Sequence, residues 1–452
     1  MSSNLNNYYN LIDEENWLEY TLSEITDLIT RGITPAYTED EKVGVCVLNQ
    51  KCIRDNRINF ELARMTNPQK RKITDYKILK KGDILVNSTG VGTLGRVAQF
   101  NQHYNEITVD SHITIVRPNH KVNPRFLGYN LFMNQRYIEY LGEGSTGQTE
   151  LSRTRLGETF KVKLPPLKEQ KAIAKILSDL DEKIEVNNKI NKNLEEMAQA
   201  IFKQWFVDFE FPNEEGKPYK SSGGEMVESE LGMIPKGFKI GFLRDYVDNI
   251  LGGDWGKENE QGNYKKEVFC LRGADIPEVR IGKKGSLPKR YILEKNYNNK
   301  KLSSGDLVVE ISGGSPTQST GRISYINNDI LLRYEIGLVC TNFCRAITLK
   351  NKKAMEYFYF CWDRIYNLGV FFQFENGTTG IKNLDVNTFL DKFKIVKPNI
   401  DLIEKFKGIV CDFNKTIQQN GIENERLEKL RDNLLPKLMS GEIRVPLEYS
   451  EN

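Results

Sequence analysis

The sequence predicts an α+β fold: two homologous mixed α/β domains separated by two long helices that form an antiparallel coiled coil. Three observations predict it, namely an internal duplication, an apolar heptad pattern that ends each copy, and mixed strand and helix signals before it. The chain has 452 residues, which exceeds one ordinary hydrophobic core and suits two or three domains.

The duplication is visible as short motifs that recur in the same order, with an offset that drifts from 221 to 233 residues. The matched pairs are Leu22-Ser23-Glu24-Ile25 with Leu243-Arg244-Asp245-Tyr246, Gly82-Asp83 with Gly305-Asp306, Gly95-Arg96 with Gly321-Arg322, and Phe160-Lys161 with Phe393-Lys394. Each copy is far longer than a solenoid repeat, so the pattern indicates two domains with small loop insertions.

Each copy ends in a long run whose apolar positions alternate by four and three residues, which is a heptad seam. The first predicted seam is Ile173, Leu177, Leu180, Ile184, Asn187, Asn191, Leu194 and Ile201. The second is Phe406, Val410, Phe413, Ile417, Asn420, Asn424, Leu427 and Leu434. Both seams contain two asparagines, and these coincide at an offset of 233.

A helix of roughly 40 residues is about 60 Å long, and a seam of that length needs a partner. The matching asparagines favour packing of the two helices on each other. The alternative is that each helix lies on its own domain's core. The sequence alone does not fix their direction, although a pseudo-twofold axis between the copies would make them antiparallel.

The part of each copy before its helix contains both helix and strand signals. Amphipathic helices are predicted near 22–29, 124–140, 243–250 and 352–368, and strands at 43–48, 84–86, 113–116 and 307–311. Residues 210–236 are rich in Pro, Gly and Ser, which is typical of a linker.

Positive charge is concentrated in two blocks, one in each copy. Residues 42–136 contain 16 Lys/Arg against 6 Asp/Glu, and residues 265–333 contain 13 against 7, although the whole chain has a net charge of only +3. Such blocks can be electrostatic footprints for nucleic acid, whereas the alternative is two solvated surfaces.

A loop rich in Gly, Ser and Thr follows the Gly-Asp strand in both copies and ends in Arg96 or Arg322. Exposed backbone N–H groups and hydroxyls can bind phosphate oxygens, and arginine can bind phosphate or guanine. A plain hairpin loop is the alternative, but recurrence inside both basic blocks favours DNA contact. The predicted DNA-binding residues are Gln50, Lys51, Arg54, Arg57, Lys70, Arg71, Lys72, Asn87, Ser88, Thr89, Thr93, Arg96, Arg272, Lys283, Lys284, Lys289, Arg290, Ser312, Ser315, Thr317, Gln318, Ser319 and Arg322.

Catalytic and metal-binding motifs give little support for an enzyme. The segment 142–149 resembles a phosphate-binding loop, but Gln148 stands where the lysine is needed. The seven cysteines are odd in number and irregularly spaced, which favours reduced thiols over a zinc site. The Asn/Asp-Pro-Pro-Tyr/Phe tetrapeptide of amino-methyltransferases is absent from the sequence. No long apolar run or secretory signal is recognisable, so we expect a cytoplasmic protein without a membrane span.

Three segments resemble the specificity subunits of type I restriction–modification systems. The segment from Leu164-Pro165-Pro166-Leu167 through Gln170 to Ala174, followed by a heptad helix, resembles that family's central region. Residues 433–443 resemble its C-terminal end, and residues 231–237 resemble the start of its second target-recognition domain. One departure is Asn399-Ile400-Asp401-Leu402-Ile403 in place of a second Pro-Pro-Leu block, which puts the start of the second helix in doubt.

The resemblance implies target-recognition domains at 1–160 and 237–393, a central spacer helix at 161–209, a linker at 210–236 and a C-terminal spacer helix at 394–445. Each recognition domain would read one half of a bipartite target in double-stranded DNA. Two methyltransferase subunits, and in some systems two restriction subunits, would dock on the helices. S-adenosylmethionine and ATP would bind those partners, with no catalytic residue, cofactor or metal in this chain.

Two other function classes stay open on the sequence alone. One is an enzyme, such as a nuclease or methyltransferase with an unrecognised active site. The other is a DNA-binding adaptor of a different defence system. Turnover by the pure chain would favour the enzyme, and the neighbouring reading frames would separate the adaptor from a specificity subunit.

Overall fold

The computed structural model describes residues 17–40, 42–102, 106–144, 149–313, 317–378 and 380–446. The chain forms two compact units, Met1–Glu182 with Leu427–Asn452, and Lys183–Arg426. Each unit therefore contains one segment of both long helices. The domain boundaries given above stay a prediction, because these units divide both helices.

The first unit contains mixed helices and strands before its long helix. Its described strands are β1 (Leu18–Thr21), β2 (Thr26–Arg31), β3 (Tyr37–Thr38), β4 (Val45–Leu48), β5 (Ile53–Arg54), β6 (Arg57–Ile58), β7 (Arg64–Thr66), β8 (Ile84–Asn87), β9 (Val97–Gln99), β10 (Ile107–Val109), β11 (Ile113–Pro118), β12 (Gly142–Glu143), β13 (Glu150–Leu151) and β14 (Lys161–Leu164). Its helices are α1 (Pro124–Met133), α2 (Gln135–Tyr140), α3 (Arg153–Thr159) and the start of α4 (Leu167–Phe206).

The central sheet of this unit has the order β2-β11-β8-β9 and separates two hydrophobic clusters. Successive side chains of a strand point to opposite faces. Ile84 and Val86 accordingly pack with Phe126 of α1, whereas Leu85 packs with Leu48 of β4. Both faces are covered, which explains why β8 is an uninterrupted apolar run.

The second unit repeats this plan. Its described strands are β15 (Met226–Ser229), β16 (Gly232–Pro235), β17 (Lys239–Phe242), β18 (Val247–Gly252), β19 (Tyr264–Leu271), β20 (Lys289–Leu293), β21 (Asp306–Glu310), β22 (Ser312–Gly313), β23 (Ile323–Tyr325), β24 (Leu338–Cys340), β25 (Cys344–Leu349), β26 (Glu375–Thr378), β27 (Ile381–Leu384) and β28 (Lys394–Lys397). Its helices are α5 (Ile276–Arg280), α6 (Glu294–Lys300), α7 (Asn328–Leu331), α8 (Met355–Asn367), α9 (Val386–Lys392) and much of α10 (Ile400–Ser440).

The strand orders confirm the duplication. The sheet β18-β25-β21-β23 has the same order and the same antiparallel pairings as β2-β11-β8-β9. The parallel pair β19–β24 matches β4–β10, and the antiparallel pair β17–β28 matches β1–β14. The two copies therefore share a topology, and not only short sequence motifs.

Two of the predicted helices are wrong. Residues 22–29 form a 3-10 turn, Leu22–Ile25, followed by strand β2, and residues 243–250 form the turn Leu243–Tyr246 followed by β18. The second half of each segment is rich in β-branched residues such as Thr26 and Val247, which favour an extended backbone. The predicted helices near 124–140 and 352–368 are confirmed as α1 with α2 and as α8.

The helix starts explain two of the sequence motifs. At the start of α4, Gln170 donates to the Pro165 carbonyl at 2.8 Å and accepts from the Asn123 N–H, which ties the helix to α1. In place of a second Pro-Pro block, Asn399 caps α10 by accepting from the Leu402 N–H at 2.9 Å. The second helix therefore starts at Ile400, and the doubt about its start is resolved.

Half-buried ion pairs connect the start of α4 with the end of α10 and the residues just after it in the first unit. The Arg431 guanidinium of α10 lies 2.7 Å from the Asp181 carboxylate of α4, and that carboxylate also accepts from the Tyr129 hydroxyl at 2.6 Å. Thirteen residues beyond Arg431, Arg444 forms two hydrogen bonds to Glu169, near the start of α4. Residue numbers rise along α4 as they fall along α10.

The same helices pair within the second unit through asparagines. Asn187 donates to the Asn424 side chain at 2.9 Å, and Asn420 donates to the Asn191 side chain at 2.8 Å. Further along, Phe202 and Phe406 pack with their ring centroids 5.8 Å apart. The direction is again antiparallel, so the predicted packing of two antiparallel helices on each other is confirmed. Polar pairs on such a seam fix the register at some cost in stability.

The Pro- and Gly-rich segment predicted as a linker is folded. Strands β15 and β16 form a hairpin, and the Phe211 ring stacks between Tyr219 and Phe238 with centroid distances of 4.6 and 5.5 Å. Composition indicated the turns of this segment but not the aromatic stack that orders it.

Candidate nucleic-acid interface

A two-residue hairpin in the first unit presents two arginines side by side. Strands β5 and β6 pair so that Arg54 lies directly opposite Arg57. The turn residues Asp55 and Asn56 have φ angles of 51° and 56°, as a type I′ turn requires. Like charges directly opposite each other on a hairpin are destabilising, so this arrangement suits a surface that binds an anion.

Many Lys and Arg side chains of the first basic block, residues 42–136, form no ion pair with the residues that the structure describes. Arg54 is 75% exposed and lies 3.5 Å from Asp55, which is 86% exposed. Among the predicted residues of this block, Lys51, Arg57, Lys70, Arg71 and Lys72 are exposed and form no ion pair with the residues that the structure describes. These cations can bind phosphate without first breaking an internal ion pair.

The loop after β8 places its polar groups differently from the prediction. Asn87 and Ser88 are fully buried: Asn87 donates to the Gln50 carbonyl at 2.9 Å, and the Ser88 hydroxyl lies 2.6 Å from that of Thr114. They have no surface to offer DNA, and their role here is to position the loop. The sequence suggested exposure because short polar residues between glycines are typical of surface loops.

The remaining residues of this loop form hydrogen bonds within the loop itself. Thr93 donates to the Thr89 carbonyl at 3.0 Å, and Arg96 donates to the Gly92 carbonyl at 2.8 Å. Thr89, Thr93 and Arg96 are half-buried, and each keeps some accessible surface. Arg96 has no carboxylate partner among the described residues.

The second copy differs at the equivalent place. Arg322 forms two hydrogen bonds, of 2.7 and 2.6 Å, to the buried carboxylate of Glu310, and these bonds raise the pKa of the guanidinium. Its charge is therefore neutralised inside the protein, unlike that of Arg96. Ser319 is buried, and Ser312 bonds to Asn383. Glu310 replaces Asn87 at the end of the matching strand, and this exchange accounts for the difference.

The remaining residues predicted from the second copy are also mostly engaged. Gln318 and Thr317 are exposed, and Gln318 donates to the Tyr366 hydroxyl at 3.1 Å, whereas Ser315 lies outside the described residues. Lys283 is half-buried. The other cations have acidic or aromatic partners: Arg272 with Asp275 at 2.8 Å, Lys284 over the Tyr334 ring at 5.7 Å, Lys289 with Glu267 at 3.6 Å, and Arg290 with Glu258 at 3.5 Å.

The predicted seam residues lie along the paired helices. Each of them is buried or half-buried, including Asn187, Asn191, Asn420 and Asn424. Sequence reasoning missed His112, whose Nδ1 lies 2.8 Å from the Thr89 hydroxyl in the loop after β8. In the sequence, His112 is distinguished only by its position directly before strand β11, and that position does not by itself indicate a functional residue.

In the described residues, neither the cysteine thiols nor the hydropathy of the helices indicates metal binding or a membrane span. Burial raises the pKa of the Cys340 thiol to about 12, which disfavours the thiolate that binds metals. Over the described ranges, no group of three or more His, Cys, Asp or Glu side chains is placed to hold a metal ion. In the same residues, no helix is long and apolar enough to cross a bilayer.

Comparison with known proteins shows which family the chain resembles. Residues 14–196 match the family model described as the type I restriction modification DNA specificity domain. The chain is 25% identical to the type I restriction enzyme HindI specificity subunit of Haemophilus influenzae, over 94% of this chain and 99% of that one. The chain is therefore similar to type I restriction enzyme specificity subunits over nearly its whole length. The region matched by the family model includes the Arg54–Arg57 hairpin and most of α4.

Two further specificity subunits are similar to this chain. The MjaIX specificity subunit of Methanocaldococcus jannaschii is 29% identical over 83% of this chain and 80% of its own. Among solved structures, the S subunit from M. genitalium is similar in fold, with a TM-score of 0.54 at 16% identity over 95% of this chain and 97% of that chain.

The arginine hairpin leads to a prediction about DNA affinity. Replacing both Arg54 and Arg57 by Ala should weaken binding to random-sequence duplex DNA at least about tenfold at low salt, because charge-assisted contacts are lost. The slope of log affinity against log salt should fall by about two. Titration of the purified chain with labelled duplex at several salt concentrations measures both quantities.

The control for this prediction removes the same charge elsewhere. Lys217→Ala with Lys220→Ala changes two exposed lysines of the folded connecting segment and should leave the salt slope unchanged. The hairpin variant should unfold at an equal or slightly higher denaturant concentration, because two opposed like charges are removed. An unchanged salt slope in the hairpin variant would rule out this surface as a phosphate-binding site.

Proposed function

We propose that this chain is a type I restriction–modification specificity subunit. It reads a bipartite DNA target with its two recognition domains and scaffolds methyltransferase subunits, together with restriction subunits where a system has them. The observation that supports this proposal most directly is the pair of units with one shared strand order, each of which contains an antiparallel segment of both long helices. One reader would give one contiguous site, whereas two related readers suit two half-sites with a gap.

The dimensions are compatible with this proposal. Two modules that contact the same face of B-DNA sit about one helical turn apart, ~34 Å. The helices α4 and α10 contain 40 and 41 residues, which corresponds to about 60 Å of helix. A helix pair of this length can set the number of unread base pairs.

The chemistry is assigned to partners. Two methyltransferase subunits would bind S-adenosylmethionine and methylate adenine, and restriction subunits would bind ATP. The exposed faces of the helices, which include Lys189, Lys192 and Glu196, would be available for docking. On this proposal, the specificity subunit contributes the choice of sequence and no catalytic group.

Reconstitution tests the proposal against the enzyme and the adaptor. The purified chain with duplex DNA and S-adenosylmethionine should transfer no methyl group, and the methyltransferase subunit encoded beside it should be inactive alone. The two together should methylate adenine. Turnover by the chain alone would favour the enzyme, and failure of the pair to methylate would favour an adaptor of another system.

A further inference from the structure

Gln50 is held at two points in the first recognition domain. It starts a 3-10 turn, Gln50–Cys52, directly after β4, and the Asn49 side chain caps this turn by accepting from the Lys51 N–H at 2.9 Å. The Gln50 carbonyl accepts from the fully buried Asn87 side chain. The backbone of Gln50 is therefore fixed from inside the domain.

The side chain of Gln50 is oriented as well. The Thr89 hydroxyl donates to Gln50 Oε1 at 3.3 Å and lies 2.8 Å from His112 Nδ1, which leaves the His112 N–H to donate to that hydroxyl. Gly90 makes room for the amide, because a Cβ there would lie 2.8 Å from Gln50 Oε1. Oε1 can accept one more hydrogen bond. Among the described residues, Nε2 has no partner.

The second copy lacks this arrangement. Gly273 occupies the position equivalent to Gln50, at the offset of 223 that also separates Gly305 from Gly82, and it starts the matching 3-10 turn, Gly273–Asp275. A Cβ on Gly273 would lie 2.6 Å from Glu310 Oε1. The second copy therefore forms the same turn without a side chain at this position.

The surroundings of Gln50 suit contact with a duplex. It adjoins Lys51, and the hairpin that carries Arg54 and Arg57 follows two residues later; these exposed cations can bind phosphates and fix the register. An oriented neutral amide among phosphate-binding cations matches the division between contacts that position a protein and contacts that specify bases.

We propose that Gln50 is a specificity-determining residue of the first domain and that it binds adenine in the major groove. Oε1 would accept from adenine N6, and Nε2 would donate to adenine N7, which is the bidentate geometry of glutamine on this base. Thr89 and His112 act as positioning residues. This inference rests on the proposed function and adds a base identity to one half-site.

The test maps methylated sites in cells that express the full chain with its methyltransferase partner. The half-site of the first domain should contain an A·T pair other than the methylated adenine. Gln50→Leu should relax discrimination at that pair by roughly 10- to 100-fold. Gln50→Glu keeps the size and the acceptor for Thr89 but removes the donor to N7, so it should also lose the preference for adenine.

Two controls keep this test informative. The second half-site should be unchanged in both variants, which shows that the complex is folded and active. Gln102→Leu changes an exposed glutamine of the same domain and should leave the whole target unchanged.

The inference is overturned if the first half-site contains no such A·T pair, or if Gln50→Glu retains the wild-type target. If the unmodified chain with its methyltransferase partner gives no methylation, or if its target is not divided into two halves, the proposed function itself is contradicted. The two failures are therefore distinguishable.

Discussion

Exchanging residues 17–160 for the corresponding domain of a type I specificity subunit should replace one half of the recognised sequence and leave the other half unchanged. The hydrophobic clusters of the first unit are built from residues of that unit, as is the large cluster of the second unit. Because each reader has its own core, its DNA-binding surface does not depend on the side chains of the other. Binding to the original first half-site should fall about 10³-fold or more, towards non-specific affinity.

The design of this exchange follows from the contacts between the domain and the helices. The Tyr129 hydroxyl bonds to Asp181, and the Asn123 N–H bonds to Gln170, so a donor domain without equivalents would leave buried polar groups unpaired. A second chimera that also transfers 161–182 and 427–446 keeps those partners together. Target mapping for both chimeras measures the result, and a change in both half-sites would show that the readers are not modular.

Inserting one heptad into each long helix should lengthen the unread gap by about three base pairs. Seven helical residues add about 10 Å, and B-DNA rises 3.4 Å per base pair. Suitable insertion points are after Glu182 in α4 and after Arg426 in α10, where the two compact units meet along the chain. The Asp181–Arg431 and Asn187–Asn424 pairs would then both be retained.

The control inserts seven residues into α4 alone. This variant puts the asparagines out of register, so it should lose stability and DNA methylation together. Deleting one heptad from each helix should have the opposite effect on the gap. If the double insertion methylates targets with the original gap, the helix pair does not set the spacing.

The repeated elements could be predicted from the sequence, because duplication supplies two independent samples of each pattern. Asn187 and Asn191 interrupt a seam in the same phase as Asn420 and Asn424, and the structure pairs them. Segments that depend on tertiary contacts could not be predicted. Residues 22–29 have helix-like spacing, but pairing with β11 makes 26–31 a strand.

The candidate interface was less predictable than the fold. Burial separates Asn87 from Thr89, two residues along the same loop, and no local pattern encodes that difference. Arg96 and Arg322 occupy equivalent positions, yet Glu310 neutralises only Arg322. Whether the arginine is neutralised depends on the last residue of the neighbouring strand, which is Asn87 in β8 and Glu310 in β21. Charge and composition do not show this difference, so they predicted the same role for both arginines.

Mapping methylated adenines in a genome, with and without this chain, tests the central claim most directly. The account predicts a set of sites that requires this chain and consists of two short specified sequences separated by a fixed number of unspecified base pairs. One uninterrupted target sequence, or a methylation pattern that is the same without the chain, would contradict it.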